Sequence, residues 1–178
     1  MKTFVVTGAS SCGKTTIIKK LGELGCLVLH EVARDLIAEG QLLPRTTAFQ
    51  EELAKRHLDR ETHLASSGME LAFLDRGIYD VGAFSRHFGD PVPQAVATSG
   101  KNYDAVFFLE SLDQFHNDGI RIESDMSEAL NIRDLIRNEY ETRGIKCIDV
   151  PKMGIDERAS FILRHAQSTI ASQDTTAV

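Results

Sequence analysis

Residues 8–16, GASSCGKTT, place two glycines, a lysine and two threonines directly after the apolar run TFVV at residues 3–6. The spacing Gly-x-x-x-x-Gly-Lys-Thr, from Gly8 to Thr15, is typical of a phosphate-binding loop, because glycines let backbone N–H groups turn inward around an anion. Lys14 is expected to reach the β- and γ-phosphates, and the Thr15 hydroxyl to bind Mg²⁺. The residues predicted to bind the nucleotide are Gly8, Ser10, Ser11, Cys12, Gly13, Lys14, Thr15 and Thr16.

The flanks of this loop decide between a phosphate site and a glycine-rich turn that matches by chance. The run before the loop is β-rich in composition, and after it Ile17, Leu21 and Leu24 recur at helical spacing, with Gly25 where a helix C-cap belongs. A helix in this place would direct its positive N-terminus at the same phosphate. These flanks favour a site for ATP, with GTP as the alternative nucleotide.

The apolar run LAFLD ends in Asp75, which Arg76 follows directly. A carboxylate in this place can hold the water shell of Mg²⁺ or accept the proton of a substrate hydroxyl, so Asp75 is a candidate catalytic and metal-binding residue. Arg76 could clamp a substrate or a phosphate. The alternative is that Asp75 caps the helix that follows, since aspartate is a good N-cap residue.

The stretch HEVAR places Glu31 and Arg34 three residues apart, on one face of a helix. One interpretation is a plain ion pair within that helix, worth only tenths of a kcal/mol. The other interpretation makes Glu31 a catalytic base or an acceptor of a substrate hydroxyl, with Arg34 holding an anion. The spacing does not decide between them.

Residues 111–126 are rich in Asp, Asn, Ser and Gly and are too long for a tight turn. Long polar segments in compact domains are often lids over an active site. Arg121 in this segment is a candidate catalytic residue, because a closing lid would bring its charge to the transferring phosphate. The alternative is a solvated surface loop. The charged residues of 45–63 alternate in sign and are typical of a solvated helix face, with a substrate cover as the minor interpretation.

Elements that could position these residues alternate between apolar β-leaning runs and helical patterns. The predicted strands span residues 3–7, 26–30, 71–75, 105–110 and 146–150, and helices are predicted over 47–66, 127–142 and 156–171. Continuous apolar strands fit a parallel sheet covered on both faces. We therefore predict an α/β fold, a three-layer, doubly wound sandwich around a five-stranded parallel sheet. One domain is expected over residues 1–171, with a frayed tail at 172–178.

The composition narrows the classes of function. The chain has 178 residues and a net charge of −6, which argues against a general nucleic-acid-binding or anionic-membrane surface. Three cysteines, Cys12, Cys26 and Cys147, lack metal-ligand spacing and are typical of reduced thiols in a cytoplasmic protein. Cys12 could have a redox role, but a small residue whose backbone contacts phosphate is the favoured interpretation. We expect no signal peptide and no membrane span.

Five stretches occur in a recognisable order between residues 3 and 151: GASSCGKTT, HEVARDLI, FLDRGIYDVGAF, DGIRIESDMSEA and GIKCIDVP. With them the chain resembles a compact P-loop, AAA-like family of ATP/GTP-binding proteins related to the ribosylnicotinamide kinase domain of bacterial NAD-regulatory proteins. The resemblance implies a nucleoside-kinase-like fold, with Lys14 and Thr15 on phosphate and magnesium. It also implies acceptor-side roles for Glu31, Arg34, Asp75 and Asp80, and a lid role for Arg121.

Two functions are compatible with these residues. The first is a kinase that moves the γ-phosphoryl of ATP to a hydroxyl of a small nucleoside-like or ribosyl acceptor, by positioning and electrostatics. The second is a nucleotide-dependent regulatory module with slow ATP or GTP hydrolysis, since some members of the family resemble regulators and a fold does not settle an activity. The oligomeric state is open.

Overall fold

A parallel sheet of five strands organises the chain. The structure is a computed structural model that describes residues 1–9, 12–111 and 126–174. The strands are β1 (Lys2–Thr7), β2 (Leu27–Leu29), β3 (Leu71–Asp75), β4 (Ala105–Leu109) and β5 (Cys147–Val150). They are all parallel and lie in the order β2-β3-β1-β4-β5. The five strands predicted from apolar runs are confirmed.

Helices connect the strands and cover both faces of the sheet. They are α1 (Lys14–Glu23), α2 (Val32–Glu39), α3 (Thr47–Thr62), α4 (Ile78–Phe88), α5 (Gln94–Ala97), α6 (Met126–Glu141) and α7 (Ile155–Asp174). The helix expected over 47–66 is divided, because α3 ends at Thr62 and a 3₁₀ turn covers Leu64–Ser67. Helix α7 continues three residues into the segment expected to be a frayed tail.

Alternate residues of the central strand point into two separate cores. Val5 belongs to the core formed with α2, α3, α4 and α6, whereas Phe4 and Val6 belong to the core formed with α1 and α7. Both faces of the strand are buried, which is why its sequence is apolar without alternation. The two cores make the three layers of the predicted doubly wound sandwich. Within the described residues, none of the helices is both long and apolar enough to cross a bilayer.

The sheet brings two of the predicted functional segments to one edge. In the pairing of β1 with β3, Val6 lies opposite Asp75, so the end of β3 adjoins the loop that follows β1. The Arg76 backbone N–H continues this pairing and donates to the Val6 carbonyl at 3.1 Å. Ligands of open parallel sheets bind beyond the carboxyl ends of the strands, and this edge is where the candidate residues meet.

Candidate functional site

The loop after β1 leaves the sheet in a backbone conformation that favours glycine. Gly8 has φ 144°, and a Cβ there would lie 2.8 Å from the Leu109 carbonyl oxygen and 3.0 Å from Cys12 Sγ. Gly13 caps α1 with φ 90°, in the left-handed region. The first turn of α1 contains no acidic residue, and its N-terminus receives no side-chain cap from the described part of the chain. The positive end of α1 is therefore available to an anion.

The side chain of Lys14 folds back onto the loop and donates hydrogen bonds to loop carbonyls. Its side-chain ammonium donates to the Ala9 carbonyl at 2.9 Å and to the Gly8 carbonyl at 3.3 Å, and it lies 3.7 Å from Cys12 Sγ. The residue is only 8% exposed, so this lysine is largely buried. A lysine held by loop carbonyls carries its charge at the centre of the loop, where a phosphate would contact it.

Arg158 holds the loop to two neighbouring strand ends, a role that no local motif in the sequence indicates. Its guanidinium donates to the carbonyls of Cys12 at 2.7 Å, Glu110 at 2.9 Å and Pro151 at 3.0 Å. The residue is 2% exposed. Arginine suits this task because its planar fork carries five donors in fixed directions.

Replacing this arginine should loosen the phosphate loop. Arg158→Met should lower the free energy of unfolding by about 2–4 kcal/mol, because three carbonyls lose a charged donor. It should also weaken ATP binding, because the Cys12 carbonyl is part of the loop. Denaturant melts and calorimetry with MgATP measure the two effects. Arg164→Met removes an exposed arginine of the same helix and should change neither quantity; an Arg158→Met protein with wild-type ATP affinity would contradict the anchoring role.

Asp75 is the last residue of β3, and its carboxylate has no hydrogen-bond partner among the described residues. The residue is 2% exposed, and neither carboxylate oxygen has a hydrogen-bond partner among the residues that the structure describes. Helix α4 is instead capped by Gly77, whose N–H donates to the Asp80 carboxylate. The alternative role of Asp75 as a helix cap is therefore excluded. A buried carboxylate without partners is costly, which indicates a ligand in this place.

The surroundings of Asp75 raise the pKa of its carboxyl group above the value of an aspartate in water. Burial and the nearby Glu31 carboxylate raise the pKa of Asp75 to about 6, and Asp80 adds to this. Lys14 and Arg76 oppose the rise by attracting the carboxylate. A carboxyl group whose pKa lies nearer neutrality is a better proton acceptor than an ordinary aspartate.

Arg76 lies in the left-handed region with φ 66°, which is uncommon for a residue with a side chain. Its guanidinium contacts the Asp80 carboxylate at 3.0 Å, the Glu31 carboxylate at 3.6 Å and the Thr7 hydroxyl at 3.4 Å. It also lies over the ring of Phe84, 5.0 Å from the centroid. These contacts hold the positive charge of Arg76 beside Asp75. The predicted role of Arg76 in clamping a substrate or a phosphate stays a prediction.

Asp80 is buried, and both oxygens of its carboxylate accept hydrogen bonds from other protein groups. One of its oxygens accepts from the Thr7 hydroxyl at 2.5 Å and from Arg76 at 3.0 Å. The other accepts from the Tyr140 hydroxyl at 2.5 Å and from the Gly77 N–H at 3.1 Å. The structure therefore gives Asp80 the role of positioning Arg76. A direct contact with an acceptor, which the resemblance implies, stays a prediction.

Glu31 and Arg34 form the ion pair that their spacing allows. The Arg34 side chain is exposed and donates to the Glu31 carboxylate at 2.9 Å. Burial pushes the pKa of Glu31 upward, but the charges of Arg76, Lys14 and Arg34 outweigh burial and leave the pKa below its ordinary value. Glu31 is thus ionised and paired, which makes it a weaker base than Asp75. Its contact with a substrate hydroxyl and the anion-binding role of Arg34 stay predictions.

A comparison with family models adds an independent finding. The model of a family described as an AAA domain matches residues 3–158. The chain belongs to this AAA domain family. The match covers the loop, both strand-end carboxylates and the anchoring arginine, and it confirms the predicted AAA-like family. A comparison with curated proteins finds no match.

Solved structures similar in fold to this AAA domain protein include thymidylate, deoxyadenosine and shikimate kinases. Thymidylate kinase from Ehrlichia chaffeensis has a TM-score of 0.64 at 13% identity, over 92% of this chain and 97% of that chain. Deoxyadenosine kinase from M. mycoides has a TM-score of 0.67 at 13% identity, over 93% and 99%. NadR protein in complex with NAD and AMP-PNP has a TM-score of 0.68 at 14% identity, and this chain spans 50% of its length.

Part of the predicted site of this AAA domain protein lies outside the described residues. Ser10 and Ser11 belong to the phosphate loop, and Arg121 belongs to the predicted lid; all three lie outside the described ranges, as do 112–125 and 175–178. Thr15 and Thr16 are exposed in the first turn of α1, and Cys12 is buried against the loop. The small, buried Cys12 fits the structural interpretation of this thiol.

Helix α3 contributes buried polar side chains to the candidate site. His57 and Glu61 were assigned to a solvated helix face, and this is wrong because both side chains are buried. Glu61 accepts from the Tyr103 hydroxyl at 2.9 Å and lies 3.4 Å from the Lys101 ammonium. The signal was present as an i, i+4 series from Phe49 and Leu53 to His57 and Glu61, in which two polar residues continue an apolar stripe.

The described residues meet around one small cleft at the ends of β2 and β3. Its lining residues include Asp75, Arg76, His57, Arg60 and Glu61. The candidate proton acceptor Asp75 and the buried residues of α3 therefore border the same cleft.

Proposed function

We propose that this AAA domain protein is an ATP-dependent kinase that transfers the γ-phosphoryl group to a hydroxyl of a small nucleoside-like or ribosyl acceptor. GTP is the alternative donor. The observation that carries the proposal is the unsatisfied carboxylate of Asp75, buried beside a phosphate loop and a fixed arginine. The fold that the chain shares with thymidylate and deoxyadenosine kinases supports it.

The residues of the loop fit a nucleotide with its metal ion. The open N-terminus of α1 and the ammonium of Lys14 suit the β- and γ-phosphates. Mg²⁺ fits beside them, because the exposed hydroxyl of Thr15 and the unpartnered oxygens of Asp75 are the hard oxygen donors that this ion prefers. When bound, Mg²⁺ would neutralise charge on the transferring phosphoryl group.

Asp75 can also act on the acceptor. In the proposed step the acceptor oxygen forms a bond to the γ-phosphorus, the bond from that phosphorus to the β–γ bridging oxygen breaks, and ADP leaves. The hydroxyl proton passes to the Asp75 carboxylate, whose oxygens have no hydrogen-bond donor among the described residues. Arg76, held by Asp80, stabilises negative charge in this place.

A comparison of the two carboxylates favours Asp75 over Glu31 as the base. Glu31 is ion-paired with Arg34, and its pKa is held below the ordinary value. Asp75 has neither a hydrogen-bond donor nor a capping role among the described residues. Glu31 is better suited to orient an acceptor hydroxyl as a hydrogen-bond acceptor.

The test is ATP turnover with and without a panel of ribonucleosides. A kinase should show turnover that one compound stimulates strongly, with one ADP formed for each phosphorylated product. Mass spectrometry of the product identifies the modified hydroxyl. A slow ATP or GTP hydrolysis that is indifferent to every compound would contradict the proposal and favour a nucleotide-dependent regulatory module.

A further inference from the structure

His57 is a mostly buried residue of the cleft whose imidazole has no hydrogen-bond partner among the described residues. The residue is 6% exposed and lines the same cleft as Asp75. Its imidazole makes no hydrogen bond or ion pair with any part of the chain that the structure describes. Burial, helped by the positive charges of Arg60 and Arg76, lowers the pKa of His57 to about 4 against the attraction of Asp80, so the ring is neutral at neutral pH.

The position of His57 on α3 argues against a purely structural role. The core-facing stripe of α3 is apolar at Phe49, Leu53 and Ala54, where the helix covers the hydrophobic core. The next two positions of the stripe, His57 and Glu61, line the cleft. Glu61 is satisfied by Tyr103 and Lys101, whereas the ring nitrogens of His57 remain without a partner among the described residues. Because His57 lines the cleft, a ligand in the cleft can hydrogen-bond to the ring nitrogens that the described protein leaves unused.

We infer that His57 is a specificity-determining residue of the proposed reaction: its imidazole hydrogen-bonds to a second hydroxyl of the acceptor, beside the hydroxyl that receives the phosphoryl group. This inference rests on the proposed function. A neutral imidazole offers one donor and one acceptor nitrogen, which suits a hydroxyl and not an anionic group. The arginines that line the cleft support this, because Arg60 and Arg76 are each paired with a carboxylate. The acceptor class is therefore an uncharged or cationic diol, such as the ribose of a ribonucleoside.

The experiment compares ribonucleosides with their 2′-deoxy and 3′-deoxy analogues as acceptors. The wild-type protein should lose about three- to tenfold in kcat/KM with the analogue that lacks the hydroxyl read by His57, as expected for one hydrogen bond. His57→Leu should show the same loss with the full ribonucleoside and should no longer distinguish that analogue. Its KM for ATP should stay unchanged. His57→Gln, which restores a donor and an acceptor, should recover part of the discrimination.

Gln50→Leu is the matched control. Gln50 is a buried polar residue on the same face of α3, with an unpartnered side-chain oxygen among the described residues, and it does not line the cleft. Its replacement should leave acceptor discrimination unchanged. If His57→Leu retains the acceptor KM and the discrimination of the wild type, the inference is wrong and the proposed function stands. If the wild-type protein phosphorylates none of the ribonucleosides, the proposed function fails and the inference with it.

If the His57→Leu protein does not fold, a second measurement on the wild-type protein tests the same inference. The histidine ring signals of the wild-type protein are followed by NMR, with the His57 signal assigned from His57→Gln. Adding the ribonucleoside with AMP-PNP and Mg²⁺ should shift the His57 signal, and the 2′- or 3′-deoxy analogue should shift it less. A His57 signal that ignores a ribonucleoside that is phosphorylated would overturn the inference.

Discussion

Asp75→Asn should reduce turnover at least about a hundredfold while making the nucleotide-free protein more stable. The substitution keeps the shape of the side chain but removes the charge that would hold the magnesium shell or accept the hydroxyl proton, a loss in the range of positioned acid–base groups. The gain in stability follows from the unsatisfied carboxylate, whose ionised form is buried without a hydrogen-bond donor among the described residues. Active-site groups that serve a ligand often carry such a cost.

The gain in stability should depend on pH. The folded state raises the pKa of Asp75 from 3.8 to about 6, so the folded protein holds this proton more tightly than the unfolded chain. Below about pH 4 the carboxyl is protonated in both states and the cost is absent. As the pH rises through 6 the cost becomes complete, on the order of 1–3 kcal/mol in the free energy of unfolding. Asparagine does not ionise, so the advantage of Asp75→Asn should grow over this window.

Denaturant melts in EDTA between pH 4 and 8, together with turnover at saturating ATP, measure the two effects of Asp75→Asn. Asp59→Asn makes the same change on an exposed position of α3 and should alter neither turnover nor the pH dependence of stability. Turnover within about threefold of wild type would show that Asp75 is not a catalytic group, and Glu31 would become the leading candidate for the base.

The centre of the sheet was predictable from the sequence because β1, β3 and β4 are largely buried. Residues 105–109 are all buried, and such a run of apolar β-branched and aromatic residues has few alternatives to a central strand. The amphipathic stripe of α7 was equally clear. Helix α4 shows no such stripe, because all of its residues from Ile78 to Ser85 are buried. Periodicity carries no signal for a helix that is surrounded by protein.

The candidate site was predictable where one short motif or one strand end defines it, and not where distant segments meet. Lys14 was singled out because it belongs to one short motif, and Asp75 because it ends an apolar strand. The contact of Arg158 with the Cys12 carbonyl joins residues 146 positions apart, and nothing local in either segment specifies it. His57 was missed for a different reason: a polar residue on a polar helix looks solvated until the helix is docked on the sheet.

Lys14→Ala should reduce the affinity for MgATP by about tenfold to a hundredfold, and it should also destabilise the empty protein slightly. The first effect is the loss of charged hydrogen bonds to phosphate, worth about 1.5–3 kcal/mol, where each 1.4 kcal/mol is a tenfold change in affinity. The second follows from the burial of this lysine, because the carbonyls of Gly8 and Ala9 lose the ammonium that they share. Lys14→Met keeps the apolar stem in place and separates loss of charge from loss of packing.

Calorimetry with MgATP beside thermal melts measures both effects, and Lys19→Ala is the matched control. Lys19 is exposed on the same helix, so its replacement removes the same charge without touching the loop. Lys14→Ala and Lys14→Met should lose affinity alike if the ammonium contacts phosphate. If both bind MgATP as the wild type does, the glycine-rich loop is not the nucleotide site. If only Lys14→Ala loses affinity, the lysine acts by packing, and the anion is held by the backbone N–H groups and the N-terminus of α1 alone.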